Sequence, residues 1–388
     1  MSASARSGSG HRPRAAPALV VSDLHLGGRT GIDVLRLAAN RAPLLELIER
    51  ERVGRVVLLG DALELRHGPV AEALSASRAF WEELGSTLGA GGEVVLIAGN
   101  HDHHLVAPWM ERRRRGGEPP PLGLEERASP RAGEAAGTLA RWVGPAGLEL
   151  AYPGVWVRED VYATHGHYLD RHITVPTFER LAAGVMSHVV GRLPEGAEIP
   201  DDYEAALAPI YAWAHTVAQQ VDSNLGSGTH GVSVRAWKLL AGSGGHAPVR
   251  RWAAAAAFPL VVGVLNRARI GRLSTDISAP GLRRAGLAAM GEAVRRLGIE
   301  ADHVIFGHTH RGGPYEGDEV GEWVAPTGAR LWNSGNWVYE AQFLTGTPNE
   351  SPYWPGTAVL VRQSGEPELL RLLGDRDREA LAPNAFEP

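Results

Sequence analysis

Five short segments of this 388-residue chain carry acid, amide and imidazole side chains at close spacing. They are Ser22-Asp23-Leu24-His25, Gly60-Asp61, Gly99-Asn100-His101-Asp102, Thr164-His165-Gly166-His167 and Gly307-His308-Thr309-His310. Carboxylate oxygen, amide oxygen and imidazole nitrogen are the donors that hold divalent cations when no thiolate is present. In extended chain, residues two apart point to the same side. Asp23 with His25, and His308 with His310, are therefore expected to reach one ion each as pairs. Asp61 offers two oxygens and can bridge two cations, and Asn100 adds a neutral carbonyl oxygen. A mixed nitrogen and oxygen set suits Mn, Fe, Zn, Co or Ni. Two such ions roughly 3.5–4 Å apart activate a water and clamp a phosphoryl group for in-line displacement. Any one of these residues could instead cap a turn or a helix. Five segments of this kind, each just after a strand pattern, point to ligands.

The elements that must position them are legible around the motifs. Ala18–Ser22, Val56–Leu59, Val94–Ala98, Val161–Thr164 and Val304–Phe306 are brief continuous apolar runs, as in strands buried on both faces. Leu35 to Arg52 and Val70 to Leu88 have helical patterns, which gives β-α-β-α-β and a mostly parallel sheet. Each motif then falls at the carboxyl end of a strand, where open α/β sheets bind ligands. Glycines at 60, 99, 166 and 307 let the chain turn sharply beside the site. Residues 111–138 read as a solvated loop with a helical start, and Leu331 to Tyr339, Ala358 to Arg362 and Glu368 to Leu373 as late strands. Gly281 to Leu297 has helical periodicity. The expected organisation is a tail over 1–17, an α/β core over 18–175 and 298–388, and a largely helical insertion over 176–297.

Composition narrows the chemistry. Cysteine is absent, which excludes disulfides, thiol catalysis and iron–sulfur clusters. The formal net charge of −5 and the lack of a basic stripe argue against a nucleic-acid partner. Residues 1–17 lack the apolar core of a secretory signal, and no run of 18 apolar residues is present, so a cytoplasmic protein is expected. The apolar stretch Trp252 to Leu265 lies between arginines. It reads as a buried helix of the insertion, with peripheral membrane contact as the alternative. Trp213, Trp237 and Trp252 read as core packing, with the floor of a lipid or nucleobase pocket as the alternative. No pattern in the chain specifies an oligomeric state.

In this order the five motifs resemble the calcineurin-like metallophosphoesterases. The resemblance covers about residues 18–110, 148–170 and 300–345. It implies a two-sheet β-sandwich flanked by helices, an αββα core, and two divalent ions, Mn foremost. Asp23, His25, Asp61 and His310 would hold one ion, and Asp61, Asn100, His165 and His308 the other. His101 would contact phosphate or protonate the leaving oxygen. Asp-Leu-His-Leu-Gly-Gly at 23–28, Gly-Asp-Ala-Leu-Glu at 60–64, Gly-His-Thr-His-Arg at 307–311 and Asn-Ser-Gly-Asn-Trp at 333–337 are similar to the UDP-2,3-diacylglucosamine pyrophosphatase branch. That branch carries a helical cap between its fourth and fifth motifs. Here the third motif reads Gly-Asn-His-Asp where the branch commonly has Arg, and the insertion is longer.

Several neighbours have two readings. Glu64, three residues after Asp61, is a candidate to bond a ligand histidine. Arg66 and Arg311 can grip substrate phosphate through their two-pronged guanidinium groups or be ordinary surface arginines. Asp102 orients a neighbour or caps a helix, and His103, His104 and His167, beside the motifs, either support a ligand or serve packing or the surface. Asn333 and Asn336 are candidates for the site edge, and Arg112 to Arg115 for a solvated face or a phosphate-attracting rim. The expected activity is hydrolysis of a phosphoester or pyrophosphate bond in a small or lipid-linked substrate. A phosphoprotein phosphatase or cyclic-nucleotide phosphodiesterase on the same core is the alternative. A non-catalytic interaction protein that keeps the fold is the alternative of another class.

Overall fold

A computed structural model describes residues 16–115, 117, 119–174, 198–220, 278–341, 343–344 and 350–381. The apolar runs form strands: β1 (Ala18–Val21), β2 (Arg55–Leu59) and β3 (Glu93–Ile97), every residue of them buried. β4 (Glu125–Ala128) and the long β5 (Leu148–Arg158) follow, then β6 (Val161–Thr164), β7 (His303–Phe306), β8 (Arg330–Asn333), β9 (Thr357–Val361) and β10 (Glu368–Arg371). They hydrogen-bond in the order β10-β9-β1-β2-β3-β5-β6-β7-β8, with β4 beside β5. β1, β2, β3 and the start of β5 run parallel, as do β6, β7 and β8. β5 joins the two parallel sets. Leu148–Ala151 pair with β3, and Gly154–Arg158 pair antiparallel with β6.

The strand period of two divides the core. Leu19, Val21, Val56, Leu58, Val94 and Leu96 pack in one cluster with α1 (Ala38–Arg50), α2 (Val70–Leu88) and α4 (Glu134–Val143). The alternate residues Val20, Val57, Leu59, Val95 and Ile97 share a second cluster with Val161, Ala163, Ile305 and Trp332 from the other parallel set. A third cluster joins Tyr162, Val304, Phe306 and Leu331 to Leu287, Met290 and Val294 of a helix over Ala279–Arg296, here α6. Its start is set by Ser278, whose side chain accepts from the Gly281 amide, with proline in the first turn.

Two expectations change. Residues 111–138 are not one loop. They hold the end of α3 (Ala107–Arg115), all of β4 and the start of α4. α4 buries Ala136, Leu139 and Val143, an apolar stripe that its Ala and Gly content disguises. The strand expected over 331–339 ends at Asn333, because Gly335 takes φ +72° and the chain turns back to give the Trp337 amide to the Asp23 carbonyl. Within residues 176–297, α5 (Pro200–Gln220) and the whole of α6 are described. Trp252 to Leu265 and Trp237 lie outside the described residues, and so does the Trp213 side chain. Among the described residues, no helix is long and apolar enough to cross a membrane.

Candidate metal centre

The motif residues converge from the carboxyl ends of β1, β2, β3, β6 and β7. Asp23, His25, Asp61, Asn100 and His165 are each at most 4% exposed. Their backbone is not the extended chain that the two-residue spacing suggests. Asp23, His25, Asp61, His308 and His310 all have positive φ, between 45° and 69°; among the described non-glycine residues only Arg52 shares this. Left-handed backbone at a non-glycine residue costs on the order of 1–3 kcal/mol and persists where the surroundings enforce it. Here the loops after β1 and β2 are laced together: the His25 amide donates to the Asp61 carbonyl at 2.8 Å, and that of Leu26 to Ala62 at 3.0 Å. Asp102 fixes the next turn, its carboxylate accepting from the backbone amides of Gly99, Asp61, Ala62 and Leu63 at 2.7–3.2 Å. It orients a neighbour, as the sequence suggests. Gly60 and Gly99 are obligatory: a Cβ would fall 2.3 Å from the His165 ring at Gly60, and 2.2 Å from Asp61 Oδ1 at Gly99.

Three groups of ligating atoms result: Asp23, His25 and His310; Asp61, His165 and His308; and His25, Asp61 and His101. The ring nitrogens define which atoms face inward. His25 Nδ1 lies 3.0 Å from Glu64 Oε2, and His310 Nδ1 lies 2.8 Å from Glu340 Oε2. A carboxylate only accepts, so both Nδ1 atoms donate, and each neutral ring keeps a lone pair on Nε2. Those two Nε2 atoms face each other at 3.2 Å. In the second group, His165 Nδ1 donates to the Leu59 carbonyl at 2.9 Å, leaving Nε2 toward Asp61 Oδ2 at 3.2 Å and Asn100 Oδ1 at 3.0 Å. His308 uses the opposite nitrogen. Its Nε2 donates to Asp170 Oδ1 at 2.9 Å, and its Nδ1 faces Asn100 Oδ1 at 3.1 Å. Inner nitrogens this close are satisfied by a proton or another cation between them or, in the second group, by the Asn100 amide turned inward. Fixing the outer nitrogen on an acceptor is how proteins present imidazole to metal.

Charge gives the same result. Burial alone would lower the histidines, but Asp61 raises His165 to about 10, and Glu340 and Asp23 raise His310 to about 9. The buried carboxylates favour positive charge on the imidazoles beside them. Asn100 can turn either way. With its oxygen inward it adds a ligand; with its nitrogen inward it donates to His165, His308 and Asp61, and its oxygen meets Arg66 Nη1 at 3.2 Å. Asp61 divides its oxygens: Oδ1 accepts from the His101 amide at 2.7 Å, and Oδ2 faces His165 at 3.2 Å and His25 at 3.8 Å. A single oxygen therefore faces both groups.

His101 packs edge-on against His25, ring centroids 4.6 Å apart, and its Nδ1 lies 2.7 Å from Glu64 Oε2. Burial holds its pKa down at about 3. Glu64 thus serves His25, His101 and, through Oε1, the Arg66 amide at 2.8 Å. Arg66 is buried, with its guanidinium 5.1 Å from the centre of the Tyr211 ring. Arg311 is placed differently. Its fork closes on Asp318 at 2.9 and 2.6 Å, and its guanidinium lies 5.5 Å from the centre of the Trp323 ring. Asn333 and Asn336 brace the His308–His310 loop, donating to the carbonyls of Gly307 at 3.0 Å and His310 at 2.6 Å. His103, His104 and His167 pack toward α5. Asp170 and Glu340 escape sequence reasoning: neither stands in a motif, and each meets its histidine from a distant segment.

No family model and no curated protein matches the chain. Among solved structures it is similar to a dimetal phosphatase from Danio rerio, at 14% identity over 92% of this chain and 99% of that one, with a TM-score of 0.30.

Proposed function

We propose that this chain is a dinuclear metal-dependent phosphoric ester hydrolase, acting on a phosphoester or pyrophosphate bond of a small or lipid-linked substrate. The observation that carries the reading is the set of imidazoles whose outer nitrogens are fixed on acceptors and whose inner lone pairs face one another. Asp23, His25, Asp61 and His310 would hold one divalent ion, and Asp61, Asn100, His165 and His308 the other, with Mn the first choice for both. When bound, such ions lower the pKa of water and neutralise charge on a phosphoryl group.

The chain's own residues do the rest. Asp61 Oδ2 faces both groups and would be shared between the two ions. Burial keeps His101 neutral, and Glu64 behind it offsets that cost, so the ring can take up a proton and pass it to the leaving oxygen. Arg66, beside Asn100, supplies positive charge for the phosphoryl oxygens; Arg311, tied to Asp318, does not. A two-sheet sandwich belongs to this reading, supported by the cluster that Val57 and Ile97 share with Ala163 and Ile305. So does a cap formed by residues 176–297, supported by the seat of α5: the His215 ring stacks on that of His104, centroids 4.0 Å apart. The test is hydrolysis of bis-p-nitrophenyl phosphate, p-nitrophenyl phosphate, a nucleoside diphosphate sugar, a cyclic nucleotide and a phosphopeptide, each with Mn and with chelator. Metal-dependent turnover of the small substrates is expected. Turnover of the phosphopeptide or cyclic nucleotide alone would move the assignment to the other branches of this chemistry, and none at all would remove it.

A further inference from the structure

Glu204 lies on α5, outside every motif, and is 2% exposed. Burying a carboxylate is costly unless donors compensate it, and an apolar side chain would serve packing better. Three donors meet it: His103 Nε2 at 3.0 Å on Oε2, and the hydroxyls of Tyr152 at 2.5 Å and Tyr168 at 2.9 Å on Oε1.

Those donors come from three segments that meet beside the metal centre. His103 opens the 3-10 turn His103–Leu105, two residues past His101. Tyr168 stands in the 3-10 turn His167–Arg171, three residues past His165. That turn also carries Asp170, the acceptor that fixes His308. Tyr152 belongs to β5, and its hydroxyl lies 3.3 Å from His167 Nε2. Further along α5, Tyr211 packs its ring against His103 at 5.5 Å and His167 at 5.7 Å. One carboxylate of the insertion thus ties the turn behind His101 to the turn that orients His308.

We infer that Glu204 is a positioning residue: it locks these two turns together and so fixes His101 relative to the ligands Asn100, His165 and His308. Its structural consequence rests on the contacts alone. Its catalytic consequence rests on the phosphoesterase reading.

The test separates the two. Amide hydrogen exchange is measured on metal-free protein at Leu105 and Val106 in the first turn and at Leu169 and His172 in the second, all hydrogen-bonded within their turns. Glu204→Ala is expected to speed exchange at both turns by about tenfold or more, the loss of hydrogen bonds to a charged acceptor, with β2 and β3 amides unchanged. Tyr168→Phe, a milder change, is expected to speed only the second turn. Unchanged turns, or equal acceleration throughout the strands, would overturn the inference. With Mn bound, Glu204→Ala is expected to lose roughly 10–10² in kcat on diphenyl phosphate, whose leaving group needs a proton, and much less on bis-p-nitrophenyl phosphate. Equal losses on both would show that His101 is not what Glu204 positions. No hydrolysis by the unaltered chain would fail the phosphoesterase reading, while exchange would still decide the role of Glu204.

Discussion

The two halves of the candidate metal centre are built differently. In the half made by Asp23, His25 and His310, both imidazoles have a carboxylate behind them, Glu64 and Glu340, and both present Nε2. In the half made by Asn100, His165 and His308, one imidazole leans on a neutral carbonyl, that of Leu59, and the other on Asp170, and they present different nitrogens. The first half adds its own carboxylate, Asp23, where the second adds only an amide. A carboxylate behind a histidine raises its basicity as a ligand. The first half should therefore hold its ion more tightly, and the second should exchange ions and adapt to a substrate.

The largest expected effect comes from the residue the halves share. Asp61→Ala removes Oδ2 from both. Both ions should be lost, and turnover should fall by about 10³-fold or more, since each kcal/mol of lost charge stabilisation counts steeply in rate. Next is His101→Ala, expected to keep both ions but lose on the order of 10²–10⁴ in turnover on substrates with poor leaving groups. Metal content measured beside the rate separates it from Asp61→Ala.

The difference between the halves can then be probed directly. Glu340→Gln should weaken the tighter ion and Asp170→Asn the looser one, each by roughly 10–100-fold. Competition titration with a chromophoric chelator would resolve two affinities; if either substitution weakens both ions alike, the halves are not independent. The smallest effect should come from Asn100→Asp, which gives the second half a charge and should narrow the gap between the two affinities. A wider gap would contradict the charge argument.

The sequence discloses the strand ends well and the atoms poorly. The apolar runs at 18–21, 56–59 and 94–98 mark their strands because burial on both faces favours apolar side chains, while the buried Arg55 and Glu93 at the strand starts pair with each other. The motifs follow directly, so their convergence is legible. The reason for it is not: the i, i+2 argument assumes extended chain, and Asp23, His25, His308 and His310 are left-handed. Nor is the choice of ring nitrogen, which depends on Glu340 and Asp170, brought in by tertiary folding. Arg311 shows the limit from the other side. Beside a motif it reads as a phosphate fork, yet Asp318, seven residues on, occupies it. Glu204 could not be anticipated at all, because its three donors come together only when α5 docks.

The most direct measurement is the number and affinity of transition ions bound by protein purified without chelator, set beside the same titration of Asp61→Ala. Two ions per chain of unequal affinity, both lost in the variant, is the predicted result. A chain that binds none, or a variant that keeps both, would contradict a dinuclear centre built around Asp61.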